Sequence, residues 1–108
     1  MPKLIITSSF EKDTKSLAKK YPSLNKDLYE LFEQLKTILF LELHLEDCYK
    51  IRIAIKSKGK GKSGGARVIS CVKIVHDNVF LLKLYDKSEK ETVDDKELTM
   101  LLEAAGLL

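Results

Sequence analysis

Three observations place this 108-residue chain in the α+β class. A β-branched run opens it, two amphipathic helical stretches follow at once, and three strand-like stretches gather in the second half. Strands and helices that are segregated along a chain favour helices layered on a mainly antiparallel sheet. The expected fold is an N-terminal strand and a helical hairpin packed on a mainly antiparallel four-stranded sheet, with a C-terminal helix and the helices gathered on one face. The length suits one domain over residues 1–108. With 44% hydrophobic and 32% charged residues, one core and an ordinary polar surface are both supplied.

Lys3 to Thr7 (KLIIT) reads as the first strand. Ser8 stands three residues before Glu11, a capping-box spacing, and starts a helix to about Lys20 that buries Phe10 and Leu17, with Tyr21 at its end. Pro22 and Ser23 interrupt it. Leu24, Leu28, Leu31, Phe32 and Leu35 then recur at the spacing of an amphipathic helix, so two helices form a hairpin. Thr37 to Leu45 reads only as an apolar connector, in which Ile38 to Leu41 can extend the helix by a turn while Glu42 to Leu45 alternates like a strand. Ile38, Leu39, Phe40, Leu41, Leu43 and Leu45 are too many apolar residues for a solvated loop, so some are expected under the sheet and some at a partner or self-association surface.

Tyr49, Ile51, Ile53 and Ile55 alternate with Lys50, Arg52, Ala54 and Lys56, as in a half-buried strand. Val68 to Val75 and Val79 to Tyr85 read as two more strands joined by a tight turn at Asp77 and Asn78. Ser57 to Gly65 has no apolar anchor and is expected to be a mobile hairpin loop. Asp94 and Glu97 cap a last helix through Leu98, Leu101 and Leu102, ended by Gly106.

The net charge is only +3, but its distribution is uneven. Cys48 to His76 contains no Asp or Glu and carries Lys50, Arg52, Lys56, Lys58, Lys60, Lys62, Arg67 and Lys73. All 16 acidic residues lie elsewhere. Such segregation creates a local positive field that attracts a polyanion. The plainer alternative is a lysine-rich solubilising loop, but solubility does not require a 29-residue stretch without acids.

No apolar run reaches the roughly 18–20 residues of a membrane span, and Met1 to Ser9 lacks the pattern of a secretion signal. Cytoplasmic location is expected, with Cys48 and Cys71 reduced and too few for a disulfide framework. Gly61-Lys62-Ser63 is not a phosphate loop, since Lys56 occupies the place of the upstream glycine and a strand follows where a helix is needed. His44 and His76 are too few for a histidine metal site and neither cysteine has ligand spacing, so no metal is expected. No Gly-x-Ser-x-Gly elbow exists for acyl transfer.

Cations remain. Arg67 opens a strand just after two glycines. If the three strands are neighbours, Lys56, Arg67 and Tyr85 to Lys87 converge on one edge of the sheet. Fixed cations of this kind stabilise a phosphate whose charge grows in a transition state, and arginine's planar fork holds two phosphate oxygens. The alternative is a solvated basic rim without chemistry.

Tyr49 to Ile69 (YKIRIAIKSKGKGKSGGARVI) resembles a signature of RelE/HigB-type toxins of bacterial toxin–antitoxin modules. Leu81 to Lys90 (LLKLYDKSEK) is similar to that family's final strand and tail, and the likeness extends over nearly the whole chain. The resemblance implies a RelE-like fold and a cofactor-free, metal-independent endoribonuclease that cleaves mRNA on the ribosome. It also implies a cognate antitoxin with a DNA-binding domain that masks the basic surface.

By position, the resemblance assigns the central arginine to Arg67 and the tail lysine to Lys87. Lys56 and Tyr85 complete the candidate catalytic set, and Lys50, Arg52, Lys58, Lys60, Lys62 and Lys90 are the candidate RNA-binding residues. The implied chemistry is attack of a ribose 2′-OH on the adjacent phosphate. A lysine crowded by cations is acidified, which makes Lys56, Lys58 or Lys87 a candidate for moving a proton. The chain departs from the family in its Ile38–Leu45 connector, in lacking an aromatic near Ser70, and in lacking a small polar residue near Lys83. Two alternatives stay open on the same fold: a ParE-like topoisomerase (gyrase) inhibitor and a non-catalytic RNA-binding module.

Overall fold

The computed structural model describes residues 3–41, 48–73, 78–90 and 92–107. The elements run β1 (Lys3–Ile6), α1 (Ser8–Ala18), α2 (Leu24–Leu41), β2 (Cys48–Ile53), a 3-10 turn (Lys56–Lys58), β3 (Ala66–Lys73), β4 (Asn78–Asp86) and α3 (Asp95–Ala104). The sheet order is β1-β4-β3-β2. β1 runs parallel to β4, while β3 is antiparallel to both β4 and β2. This is the expected α+β arrangement.

α1 is capped one residue earlier than the Ser8–Glu11 spacing suggests. Thr7 is extended, and its Oγ1 accepts from Phe10 N at 3.3 Å while donating to the Leu81 carbonyl at 2.8 Å. One hydroxyl thus caps the helix and ties it to β4. α2 continues through Ile38–Leu41, the helical option for the connector. Residues 42–47, and with them the rest of the connector, lie outside the described residues, as does the packing of Ile38 to Leu41. β3 begins at Ala66 and not Val68. Asn78 already belongs to β4, and residues 74–77 lie outside the described part. Asp94 caps α3 by accepting from Glu97 N at 2.8 Å, and Gly106, at φ 75°, ends it.

The helices are not gathered on one face. Phe10, Leu17, Leu24, Leu28, Leu31 and Leu35 of α1 and α2 pack on Ala66 and Val68. Ile69 and Cys71, alternating with them along β3, pack on Leu98, Leu101 and Leu102 of α3. A β-bulge makes β4 serve both sides: the register steps from Ile69↔Lys83 to Ser70↔Leu81, leaving Leu82 as the extra residue. Leu81 and Leu84 therefore both face the helical hairpin, whereas Leu82 and Tyr85 face α3. Simple alternation would have turned one of each pair the wrong way.

The 57–65 loop also departs from expectation. It lacks an apolar anchor but has polar ones. Ser57 N donates to Ser23 Oγ at 2.8 Å, Lys56 N donates to Asp27 Oδ2 at 3.1 Å, and Ser23 Oγ donates to the same carboxylate oxygen at 2.7 Å. These bonds stitch the 3-10 turn to the start of α2. At the other end Lys87 N donates to Gly65 O at 3.1 Å.

Gly65 sits so close to β2 that an added Cβ would lie 2.0 Å from the Ile53 carbonyl oxygen. Gly59, at φ 72°, faces open space. Gly59→Ala should therefore cost about 1 kcal/mol of stability, the left-handed penalty alone. Gly65→Ala should reach at least the upper end of the about 1–3 kcal/mol of overpacked sites. Urea denaturation of the two variants checks the order; equal costs would show that the Gly65 approach is not tight.

Candidate functional site

The register sets Arg52, Arg67 and Tyr85 side by side across β2, β3 and β4. Arg67 and Tyr85 are buried, Arg67 to 3% exposure, and Arg52 stays in solvent. A buried guanidinium needs partners. Arg67 Nη1 donates to Lys62 O at 3.0 Å and Ala66 O at 3.1 Å, and Nη2 donates to Ser63 O at 3.3 Å. The basic loop is thereby folded back onto its own strand. Of the five N–H donors of an arginine, three serve these carbonyls.

Tyr85 Oη is buried and makes no hydrogen bond of normal geometry. Burial pushes the phenol pKa up, and the neighbouring Arg67 charge and Thr92 hydroxyl draw it partly back. The hydroxyl therefore keeps its proton at neutral pH and is a donor without an acceptor beside a guanidinium. An orphaned buried donor costs free energy that an incoming acceptor recovers.

The lysines divide into two groups. Lys58 does not project into solvent. Its side chain is 9% exposed, its Nζ donates to Asp86 Oδ1 at 2.5 Å, and it lies over the Tyr21 ring, 5.6 Å from the centroid. Lys56 pairs with Glu30 at 3.1 Å in solvent, and Lys90 pairs with Glu97 at 2.8 Å. The hydrogen bond that Lys90 donates to Glu97 raises the Lys90 pKa, so this ammonium holds its proton. Lys50, Arg52, Lys60 and Lys62 are exposed and Lys87 is half-buried. None of these five has an ion-pair partner among the described residues. The crowding by cations expected around Lys56 and Lys58 is absent, since each rests against a carboxylate. Arg67, Tyr85, Arg52 and Lys50 lie on the α3 side of the sheet, the first two buried and the last two exposed. Lys56 and Lys58 are turned toward the helical hairpin.

Sequence reasoning missed Asp86. It is 1% exposed and accepts from Tyr21 Oη at 2.5 Å, from Lys58, and from both the backbone N and the hydroxyl of Ser88, at 2.9 and 2.7 Å. Burial alone would raise its pKa, but the bonds from Lys58, Tyr21 and Ser88 outweigh it and hold the carboxyl well below the usual carboxylate range. The legible signal was Asp86-Lys87-Ser88, an aspartate two residues before a serine, the pattern of an Asx turn. A cavity of about 240 Å³ beside Tyr85 is lined by Asp13, Asp86 and Glu89 together with Lys83 and Lys90, whose charges are met by Asp13 and Glu97. Among the described residues no group of His, Cys, Asp and Glu gathers to hold a metal ion, and no helix is long and apolar enough to cross a membrane. His44 and His76 lie outside the described residues.

Residues 46–108, from just before β2 to the end of the chain, match the family model described as the RelE toxin of the RelE / RelB toxin–antitoxin system. No curated protein matches the chain.

Asp86 and Lys58 should carry more stability than any exposed lysine. Removing one partner of a buried ion pair costs about 3–5 kcal/mol, so Asp86→Ala should lose on that order while Lys60→Ala stays within about 0.5 kcal/mol of wild type. Because the folded pKa of Asp86 is depressed, its contribution is full above the unfolded value of about 3.9 and is lost as pH falls through the lower folded value. Asp86→Asn should therefore be less stable at pH 7 and decline less steeply below about pH 4. Urea unfolding across that range checks this, and parallel acid limbs would remove Asp86 from the role.

Proposed function

Because the chain belongs to the RelE toxin family of toxin–antitoxin systems, we propose that it is a cytoplasmic endoribonuclease that cleaves mRNA on the ribosome until a cognate antitoxin with a DNA-binding domain neutralises it. The observation that carries this reading is the Arg67–Tyr85 pair: a guanidinium and an unpartnered phenol side by side at the base of an acid-free hairpin. A phosphate oxygen supplies the acceptor that Tyr85 Oη lacks. Developing negative charge there meets the positive charge of Arg67, with Arg52 in the same row, once the loop carbonyls that hold the guanidinium give way. Attack by the ribose 2′-OH restricts the reaction to RNA.

Lys60, Lys62 and Lys50 supply sequence-independent attraction to the RNA backbone. Lys87 follows the strand that carries Tyr85 and is anchored through its backbone to Gly65, so it is the lysine best placed to add charge or move a proton. Lys56 is held only by an exposed ion pair, worth little, and exchanges Glu30 for a phosphate at small cost. Lys90, kept protonated by Glu97, belongs to binding and not to proton transfer. Lys58 is reassigned from RNA contact to holding the loop in place.

One observation favours the second reading, a topoisomerase-directed toxin on the same fold. Three of the Arg67 donors are already committed to loop carbonyls, as in a purely architectural arginine. Single-turnover cleavage of mRNA on programmed ribosomes separates the two. Arg67→Ala should cut the rate by about 10²–10³, as loss of an electrostatic donor does. Tyr85→Phe and Lys87→Ala should slow cleavage without loss of fold by circular dichroism. Arg67→Lys keeps the charge but loses the fork, so a large loss marks multidentate contact. Lys60→Ala and Lys62→Ala should weaken binding and lower its salt slope by about 1 each, with the bound-state rate unchanged. Wild-type cleavage by Arg67→Ala removes the site assignment, and growth arrest with intact RNA moves the topoisomerase reading to the front.

A further inference from the structure

Cys48 and Cys71 are 23 residues apart in the chain, a spacing that suggests nothing, yet they are direct cross-strand partners in the β2–β3 ladder. Their side chains share a face: Cys71 is buried in the α3-side cluster and Cys48 packs against that cluster while remaining partly exposed. Directly opposed residues in an antiparallel ladder hold their Cα atoms about 4.5–5.5 Å apart, within the about 4.4–6.8 Å that a disulfide spans. A cavity of about 220 Å³ opens at this point, lined by Cys48, Lys50, Ile69, Thr92, Val93 and Leu98. It offers a small molecule a route to Cys48, and the Lys50 ammonium at its rim attracts an anionic one.

We infer that Cys48 and Cys71 form a redox site that closes to an intramolecular disulfide by exchange with an anionic low-molecular-weight disulfide. The partly exposed Cys48, as its thiolate, attacks one sulfur of the small disulfide, forming a mixed disulfide and releasing one small thiolate. The Cys71 thiolate then attacks Cys48 Sγ, forming the protein disulfide and releasing the second small thiolate. Two protein thiols are oxidised and one small disulfide is reduced to two thiols, which take up the two protons the protein lost. The closed ring contains all of β2, the basic loop and Arg67, and braces the hairpin at the end opposite the loop. This inference stands apart from the proposed cleavage activity.

The test uses the reduced full-length chain and oxidised glutathione, followed by intact mass measurement and peptide mapping without reductant. The wild type should lose the mass of two hydrogens, lose both thiols together, retain no glutathione, yield a linked peptide pair containing Cys48 and Cys71, and revert in dithiothreitol. Cys71→Ser should stop at a stable glutathione adduct on Cys48, and Cys48→Ser should leave the buried Cys71 unmodified. In the oxidised wild type, β2 amides should exchange with deuterium more slowly than in the reduced chain. A persistent adduct on wild-type Cys48, covalent dimers, or two unreacted thiols would each overturn the inference. Equal amide exchange in the two forms would overturn the bracing.

Discussion

Asp86 ends β4 with almost no exposure and gathers Tyr21 from the end of α1, Lys58 from the basic loop and Ser88 from the following turn onto one carboxylate. Tyr21 and Asp86 are 65 residues apart in the chain. An ionised carboxylate is tolerated there because each partner donates to it and one carries a compensating charge. A pair of this kind is weak evidence for stability gained over an apolar substitute, since desolvation offsets much of the attraction. Its clearer effect is geometric. With Lys58 on Asp86 and Ser57 on Ser23, the loop leaves β2 in one direction, and β3 begins where Arg67 falls beside Tyr85.

The acid-free stretch has a structural consequence that its composition hides. Its lysines find counter-charges only on elements outside it: Glu30 on α2 for Lys56 and Asp86 on β4 for Lys58. Both lie on the helical-hairpin side. Among the described residues, Lys50, Arg52, Lys60 and Lys62 have no counter-charge and remain exposed, while Arg67 has none either and is buried against loop carbonyls. The protein thus neutralises the base of the hairpin where it meets the core and leaves the outer part of the field for a polyanion.

β4 ties the two halves of this arrangement together. It pairs with β1 on one edge and β3 on the other, and its bulge sends Leu81 and Leu84 into one core and Leu82 and Tyr85 into the other. Lys83, at the bulge, reaches Asp13 of α1 at 3.1 Å, and the other oxygen of Asp13 accepts from Leu84 N at 3.0 Å, covering backbone that β1 is too short to pair. A two-sided sheet needs a strand whose side-chain phase shifts along its length, and an added residue is the local way to obtain it.

The sequence by itself determined the α+β class, the order of its strands and α-helices, the caps of α3, the apolar stripe of α2 and the segregation of charge. Each depends on spacings within a few residues, where helix and strand periods are set by local backbone geometry. Arg67 and Tyr85 were legible as site candidates because a long basic string and an aromatic tail resemble known toxins. Tertiary structure decided the rest. That α3 covers the opposite face follows from the bulge, which no alternation pattern reveals. That Lys58 is a tether while Lys60 stays exposed follows from where Asp86 lies, although both read as lysines of one loop. Cys48 meets Cys71, and Arg67 meets Tyr85, only because strand register brings them together. Register is fixed by which side chains the whole core accepts, and that is a property of the assembled sheet and not of any segment of the chain.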